Sequence, residues 1–170
     1  MTRRLLLVTL AVLGLGGPAL AHISLETPKA TTGSTYKAVL RVPHGCEGAA
    51  TTTIKVRVPE GFINAKPMPK PGWELDVVVA PYQGTYQLHG ATVTEGVTEI
   101  VWHGGSLPDA FYDEFVFRGT IADTATAPRL FFPTIQQCGD AEQAWIDTTG
   151  SEDVETPAPS LELLPAEPAP

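Results

Sequence analysis

The feature that most constrains the fold of this chain is its density of glycine and proline. The 170 residues include 16 glycines and 16 prolines. Both residue types interrupt helices and favour turns, so the composition argues against a helical bundle and for short strands joined by turns. Hydrophobic residues make up 43% of the chain, which is enough for a packed core and argues against general disorder.

Between the glycines and prolines, apolar and polar side chains alternate in short segments. Residues 34–43 and 51–58 both alternate, and a period of two is typical of a strand with one buried face. Short strands are also predicted at 85–88 and 92–93, on either side of a turn at His89-Gly90. About eight to nine such strands, without a helical period, predict an all-β, immunoglobulin-like β-sandwich.

Residues 1–21 have the three parts of a secretory signal peptide. Two arginines precede an apolar run from residue 5 to residue 15, and Ala19-Leu20-Ala21 fits a cleavage motif. The apolar run is too short for a comfortable membrane span, and no second run of spanning length follows. We therefore predict a protein without a stable membrane span that is exported to the periplasm or secreted, with His22 as its first residue.

A histidine at a processed N-terminus is a candidate metal ligand. Its α-amine has an ordinary pKa of about 7.7–8 and its imidazole one of about 6.5, so both can release a proton to a metal near neutral pH. The amine and Nδ1 of His22 would close a six-membered chelate ring, which suits Cu(II) best among the common divalent ions. A tight site needs further ligands.

The two cysteines predict a disulfide. An even number of cysteines in an exported chain is typical of disulfide bonding, and Cys46 and Cys138 both lie beside turn residues. Closing this long loop would stabilise the fold by about 4–5 kcal/mol in the chain-entropy model. The alternative is a thiolate copper site that also uses His44.

Several short segments, taken in their order and spacing, resemble the YcnI-like family of exported, copper-associated domains. The resemblance extends from His22 to about Asp147, which is nearly the whole mature chain. The segments that carry it are His22-Ile23-Ser24-Leu25, RVPHGC at 41–46, KPGW at 70–73, Glu114-Phe115 before FRG, and the late Trp145-Ile146.

The resemblance implies a β-sandwich that binds one Cu(II) through a single N-terminal histidine. In that family a glutamate completes the site and a tryptophan packs beside the metal. Carried over to this sequence, the histidine is His22, the glutamate is Glu114 and the tryptophan is Trp145. Glu26 is an alternative carboxylate, and the alternative indoles are Trp73 and Trp102.

A second imidazole would indicate a different function. A terminal histidine joined by another histidine on a β-sandwich resembles the copper-dependent lytic polysaccharide monooxygenases. The candidates for that second imidazole are His44, His89 and His103, of which His103 is the best placed, just past a predicted strand. Met68 is the only soft thioether in the mature chain, so the residues favour Cu(II) over Cu(I).

These observations predict three segments: a cleaved signal peptide at 1–21, the sandwich at 22–150, and a disordered tail rich in proline and glutamate at 151–170. The formal charge of −8 argues against nucleic acid as a partner. We predict a protein that is not an enzyme and that handles Cu(II) in copper trafficking or homeostasis. Its partners would be the copper ion and other copper-handling envelope proteins. The alternatives are a copper-dependent oxidative enzyme and a non-metal interaction domain of the envelope.

Overall fold

The computed structural model describes residues 22–151 and 153–166, and these residues form strands and no helix. The all-β class predicted from the sequence is confirmed, with twelve strands in place of the expected eight to nine. The predicted signal peptide at 1–21 lies outside the described residues. The strands are β1 (Ser24–Leu25), β2 (Lys29–Thr31), β3 (Thr35–Val42), β4 (Thr51–Arg57), β5 (Phe62–Pro67), β6 (Glu74–Leu88), β7 (Ala91–Leu107), β8 (Asp113–Ile121), β9 (Arg129–Phe131), β10 (Thr134–Cys138), β11 (Ala141–Trp145) and β12 (Ser160–Leu164).

Two larger sheets form the sandwich. One has the strand order β1-β3-β8-β5 and the other the order β11-β10-β4-β7-β6. A smaller third sheet has the order β2-β12-β9, in which β12 pairs parallel with β2 and antiparallel with β9. Among the described residues, no helix has the length and apolar character needed to cross a bilayer.

The core lies between the two larger sheets, where the inward-facing side chains of both meet. The alternation predicted at 34–43 and 51–58 corresponds to β3 and β4, whose inward residues include Leu40 and Ile54, both fully buried. Aromatic rings fill the centre in edge-on contacts, which are favourable for aromatic pairs. The ring centroids of Phe62 lie 5.8 Å from Phe117 and 5.4 Å from Phe132.

The longest element is a hairpin where the sequence pattern predicted several short strands. β6 and β7 run for 15 and 17 residues and pair antiparallel over most of their length. The predicted turn at His89-Gly90 is present, with φ of 51° and 79°. Positive φ at both central residues is typical of the tight turns that suit the twist of hairpin strands. The predicted breaks are register shifts near Val78 and Pro81, at which the strand bends but continues.

The structure corrects the prediction of a disordered tail from residue 151. Residues 160–164 form β12, and Leu161 is fully buried in the core. The prolines and acidic residues of this segment suggested disorder, but its leucines supply enough apolar surface to dock a strand. The sandwich predicted to end at residue 150 therefore continues through residue 164.

The predicted disulfide is confirmed. Cys46 and Cys138 are bonded, with a Cα–Cα distance of 5.8 Å and 92 positions between them in sequence. Cys46 follows β3 of the four-stranded sheet, and Cys138 ends β10 of the five-stranded sheet. The bond therefore ties the two layers of the sandwich together, and both cysteines are unavailable as thiolate ligands.

Candidate metal centre

His22 enters the fold beside the strand that precedes the Cys46 loop. β1 pairs antiparallel with β3 in the register Ser24↔Arg41 and Leu25↔Leu40. Continuing this register by two residues places His22 across from Pro43, the residue before His44. His22 is therefore anchored at one end of the sandwich by a short strand, with Ile23 and Leu25 buried on either side of Ser24.

The His22 ring packs against Trp145, the indole that the resemblance to YcnI-like proteins predicts beside the metal. The two ring centroids are 5.6 Å apart in an edge-on arrangement with an interplanar angle of 64°. Trp145 is 4% exposed and ends β11, where pairing with Thr134 of β10 turns its side chain inward. A nearly buried indole therefore forms one wall of the space around His22.

One ring nitrogen of His22 is buried without a hydrogen-bond partner. Among the side-chain nitrogen and oxygen atoms of the described residues, Nε2 of His22 alone is buried without a hydrogen-bond partner. Buried polar atoms nearly always have partners, so an exception calls for an explanation. The unpaired nitrogen therefore marks His22 as a candidate functional residue.

The orientation of Trp145 is fixed by a buried glutamine. Gln136 is 1% exposed, and its Oε1 accepts a hydrogen bond of 3.1 Å from the indole Nε1. Its amide donates to the backbone oxygen of His44 at 2.7 Å and to Oγ1 of Thr51 at 2.8 Å. Both amide hydrogens are therefore used, and the indole, the His44 loop and β4 are held as one unit.

A cavity of about 290 Å³ opens beside His22, and its only carboxylate among the described residues is Asp147. Thr149 donates to Asp147 Oδ1 from its backbone nitrogen at 2.9 Å and from its hydroxyl at 2.5 Å. These hydrogen bonds lower the pKa of Asp147, which favours the carboxylate form near neutral pH. Asp147 is thus a functional candidate that the sequence analysis did not single out, although it stands two residues after Trp145.

The C-terminal segment helps to build this cavity. Asp147 pairs with Pro157 in an isolated parallel bridge, and the backbone nitrogen of Ala158 donates to the backbone oxygen of Asp147 at 2.8 Å. Pro157, Ala158 and Ser160 line the cavity together with His22. The segment that the sequence analysis assigned to a disordered tail therefore forms one wall of the candidate site.

Glu114 is not among the described residues that line the His22 cavity. Glu114 lies on β8 opposite Arg41 of β3, which in turn lies opposite Ser24, so two strand spacings of about 4.8 Å each separate Glu114 from Ser24. Its Oε1 accepts a hydrogen bond of 2.9 Å from the hydroxyl of Tyr112, and this bond raises the pKa of Tyr112. The ligand role of Glu114 therefore stays a prediction.

The alternative carboxylate and indoles also lie away from the His22 cavity. Glu26 is exposed and is not among the described residues that line the cavity. Trp102 is fully buried and donates from Nε1 to the Met68 oxygen, and Trp73 packs on Phe115 with ring centroids 4.9 Å apart. Trp145 is thus the indole that contacts His22.

The three other histidines occupy separate places. His103 lies on β7, and its Nε2 is 2.9 Å from Oδ2 of Asp76. His89 is at the tip of the β6–β7 hairpin. Nδ1 of His44 lies 4.0 Å from Oδ1 of Asp109, and the backbone oxygen of His44 accepts the hydrogen bond from Gln136. No cluster of three or more metal-ligating side chains occurs among residues 22–151 and 153–166.

Comparison with known proteins identifies the fold and the family of this chain. None of the curated proteins matches the chain. The crystal structure of an uncharacterized protein from Nocardia farcinica, described as having an immunoglobulin-like fold, is similar with a TM-score of 0.64 and 25% sequence identity. The match covers 85% of this chain and 99% of that one, which confirms the immunoglobulin-like sandwich. The sequence also matches the family described as "Domain of unknown function (DUF1775)" over residues 22–163. The chain therefore belongs to the DUF1775 family, the family of YcnI-like proteins.

Proposed function

We propose that the mature protein binds one Cu(II) ion at its processed N-terminus and serves copper trafficking or homeostasis outside the cytoplasm. The observation that carries the proposal is the setting of His22, whose Nε2 is buried without a hydrogen-bond partner and whose ring packs against Trp145 beside a cavity. The family match supports it as well, because the matched region begins at His22, the residue that the predicted cleavage would expose.

The residues around His22 fit this ion. The α-amine and Nδ1 of His22 would supply two nitrogen donors, and Asp147 lines the same cavity together with the cation Arg129. Such a mixed nitrogen and oxygen set suits Cu(II), whereas thioether and thiolate ligands would favour Cu(I). Both cysteines are in the disulfide, and Met68 follows β5, at the opposite edge of the four-stranded sheet from β1. The local chemistry therefore supports the oxidised ion.

A carrier or sequestering role suits this site better than an oxidative enzyme. The polysaccharide monooxygenase alternative needs a second imidazole, and His103 is engaged with Asp76 on the five-stranded sheet. The copper is therefore proposed as cargo, received from and delivered to other copper-handling envelope proteins.

The test is a Cu(II) titration of the metal-free protein that begins at His22, followed by tryptophan fluorescence and electron spin resonance. The matched control carries one additional alanine before His22, which keeps every side chain but removes the free amine from the histidine. We expect one-to-one binding with quenched fluorescence in the mature protein and a loss of affinity of at least about tenfold in the control. Equal binding by the two proteins, or none by either, would contradict the proposal.

Two charge-removing variants separate the carboxylate candidates. Asp147→Asn and Glu114→Gln each change one carboxylate into an amide of nearly the same shape. We expect Asp147→Asn to weaken Cu(II) binding and alter the spin-resonance spectrum, with Glu114→Gln close to the parent protein. The reverse result would restore the glutamate that the YcnI resemblance implies. Hyperfine splitting from a second imidazole would favour the oxidative enzyme, with His44, His89 and His103 as the candidates.

A further inference from the structure

The outer face of the four-stranded sheet carries three cations side by side. Lys37 of β3 lies directly opposite Arg118 of β8, and Arg118 lies directly opposite Lys66 of β5. All three side chains are exposed and border one groove. Directly opposed residues have Cβ atoms about 4.5–5.5 Å apart on the same face of a sheet, so Lys37, Arg118 and Lys66 form a continuous cationic row.

This cationic row has no internal counter-charge. Within the described residues 22–151 and 153–166, none of its three side chains takes part in an ion pair or hydrogen bond. Other lysines do, as in the pairs of Lys29 with Glu162 at 3.0 Å and Lys70 with Asp113 at 2.7 Å. Like charges directly opposite each other destabilise a sheet. The chain has 19 acidic residues but only 11 lysines and arginines, so this uncompensated positive row stands out from its acidic surroundings.

An apolar groove of about 320 Å³ adjoins the cationic row. Its apolar walls are Val116 of β8 and the segment Pro67-Met68-Pro69, and Met68 is 52% exposed. Methionine is a flexible side chain that adapts to different apolar partners. The prolines lack backbone N–H groups, so this edge is poorly suited to accept an added strand. Recognition here would therefore rely on side chains: charge at the row and apolar contact in the groove.

We propose that the cationic row and its groove form a docking face for a partner protein that presents an acidic segment, with two or three carboxylates around an apolar side chain. Charge complementarity selects this occupant. An anionic membrane is disfavoured, because attraction of about 1 kcal/mol per cation would act against a net charge of −8 and only one strongly exposed apolar side chain lines the groove.

The docking face is separate from the His22 cavity. Lys37 of β3 comes six positions before Pro43, which lies across from His22. At about 3.4 Å per residue along the strand, the cationic row is therefore about 20 Å from the region of His22. A partner bound at the row would leave the candidate metal centre uncovered. The proposal therefore does not depend on copper binding, and its test uses the metal-free protein.

The test is fluorescence anisotropy of a labelled peptide of alternating glutamate and leucine, titrated with the full mature protein. We expect saturable binding that weakens as salt rises from about 50 to about 200 mM, since exposed charges are screened. The double variant Lys37→Gln/Lys66→Gln should bind about fivefold more weakly, since two exposed charge pairs at about 0.5 kcal/mol each give about 1 kcal/mol. A peptide with serine in place of leucine should also bind more weakly, because it leaves the groove unfilled.

The matched control is Lys55→Gln/Arg57→Gln, which removes the same charge from exposed positions on β4 of the other sheet. It should bind the peptide within about twofold of the parent protein. Equal weakening in both double variants would mean that only overall charge matters and would overturn the proposal. So would binding of phosphatidylglycerol vesicles without binding of the peptide, which would make the face a membrane contact. Self-association in sedimentation that the Lys37→Gln/Lys66→Gln variant loses would instead identify a second copy as the occupant.

Discussion

At the scale of single residues, the candidate centre depends on Gln136, a polar side chain that is almost fully buried. It connects Trp145, the His44 loop and Thr51 through three hydrogen bonds, which leaves neither of its amide hydrogens unused. A satisfied buried network of this kind fixes side-chain orientation, whereas a partly satisfied one is costly. The position of the indole beside His22 therefore follows from a residue that does not itself face the cavity.

Replacing Gln136 with leucine should lower the free energy of unfolding by about 2–3 kcal/mol. The change keeps a similar volume but leaves the Trp145 Nε1 and the His44 oxygen without their partner, and each unsatisfied buried group costs about 1–3 kcal/mol. Denaturant unfolding followed by tryptophan emission measures the effect. Gln137→Leu is the control, because the next side chain is exposed and its replacement should stay within about 0.5 kcal/mol. Equal losses in the two variants would refute the role assigned to Gln136.

The ionisation of Asp147 is also a local property. Its pKa is lowered first by the hydroxyl of Thr149 and then by the backbone nitrogen of the same residue. A lowered pKa in the folded state means a stabilising contribution that is present above the ordinary pKa of the carboxyl and is lost as the pH falls through the folded-state value.

Thr149→Val keeps the shape of the side chain and removes the hydroxyl donor. We expect the pKa of Asp147 to rise toward its ordinary value while remaining somewhat low, because the backbone hydrogen bond persists. A pH titration of the carboxyl carbon signal by nuclear magnetic resonance measures this change. The neighbouring Thr148→Val, which removes a hydroxyl not bonded to Asp147, should leave the titration unchanged. An unaltered titration in Thr149→Val would show that the hydroxyl is not the cause.

At the scale of elements, β12 makes the C-terminal segment part of the fold. Leu161 is fully buried and pairs with Leu130 of β9, while Leu164 at the end of the strand is 39% exposed. Leu161→Ala should therefore lower the free energy of unfolding by about 2–4 kcal/mol through lost burial and a residual cavity. Leu164→Ala should cost less than about 1 kcal/mol. Thermal and denaturant unfolding compare the two, and a Leu161→Ala protein as stable as Leu164→Ala would mean that β12 is not docked.

The elements show which parts of a sequence like this can be predicted. Alternation at 34–43 and 51–58 was sufficient to locate β3 and β4, because each strand has one wet and one buried face. The β6–β7 hairpin was divided into pieces, since its bulges interrupt the alternation that the prediction relied on. β12 was missed because the prolines and glutamates on both sides of it outweighed its three leucines. The local sequence also does not reveal that β12 pairs with β2 on one side and β9 on the other.

Only part of the candidate site could be predicted from the sequence. His22 was singled out from the end of the predicted signal peptide and Trp145 from a family resemblance, and the structure brings their rings into contact. Asp147 and Gln136 were not identified, because their roles depend on strand pairing: Gln136 reaches Trp145 across the β10–β11 hairpin, and Asp147 is positioned by residues 156–158. Such long-range contacts have no signature in a single sequence.

At the scale of the whole molecule, the Cys46–Cys138 bond joins the two sheets close to the candidate centre. Sγ of Cys138 lies 3.6 Å from Oγ1 of Thr51, which accepts a hydrogen bond from Gln136. The same bond that closes the long covalent loop therefore contacts the network that orients Trp145. A loss of the disulfide should affect both the global stability and the local environment of the indole.

The double variant Cys46→Ser/Cys138→Ser should lose about 4–5 kcal/mol of unfolding free energy in the chain-entropy model, since the closed loop spans 92 positions. Denaturant unfolding measures this loss, and the parent protein treated with reductant serves as the control that should match it. Because both sheets retain their own apolar faces, we expect the variant to stay folded at low temperature with a shifted Trp145 emission.

A loss below about 1 kcal/mol would mean that packing between the sheets, rather than the covalent bond, sets the stability of the sandwich. An unshifted emission with a large loss of stability would separate the disulfide from the candidate centre, and would leave Gln136 alone responsible for positioning the indole beside His22.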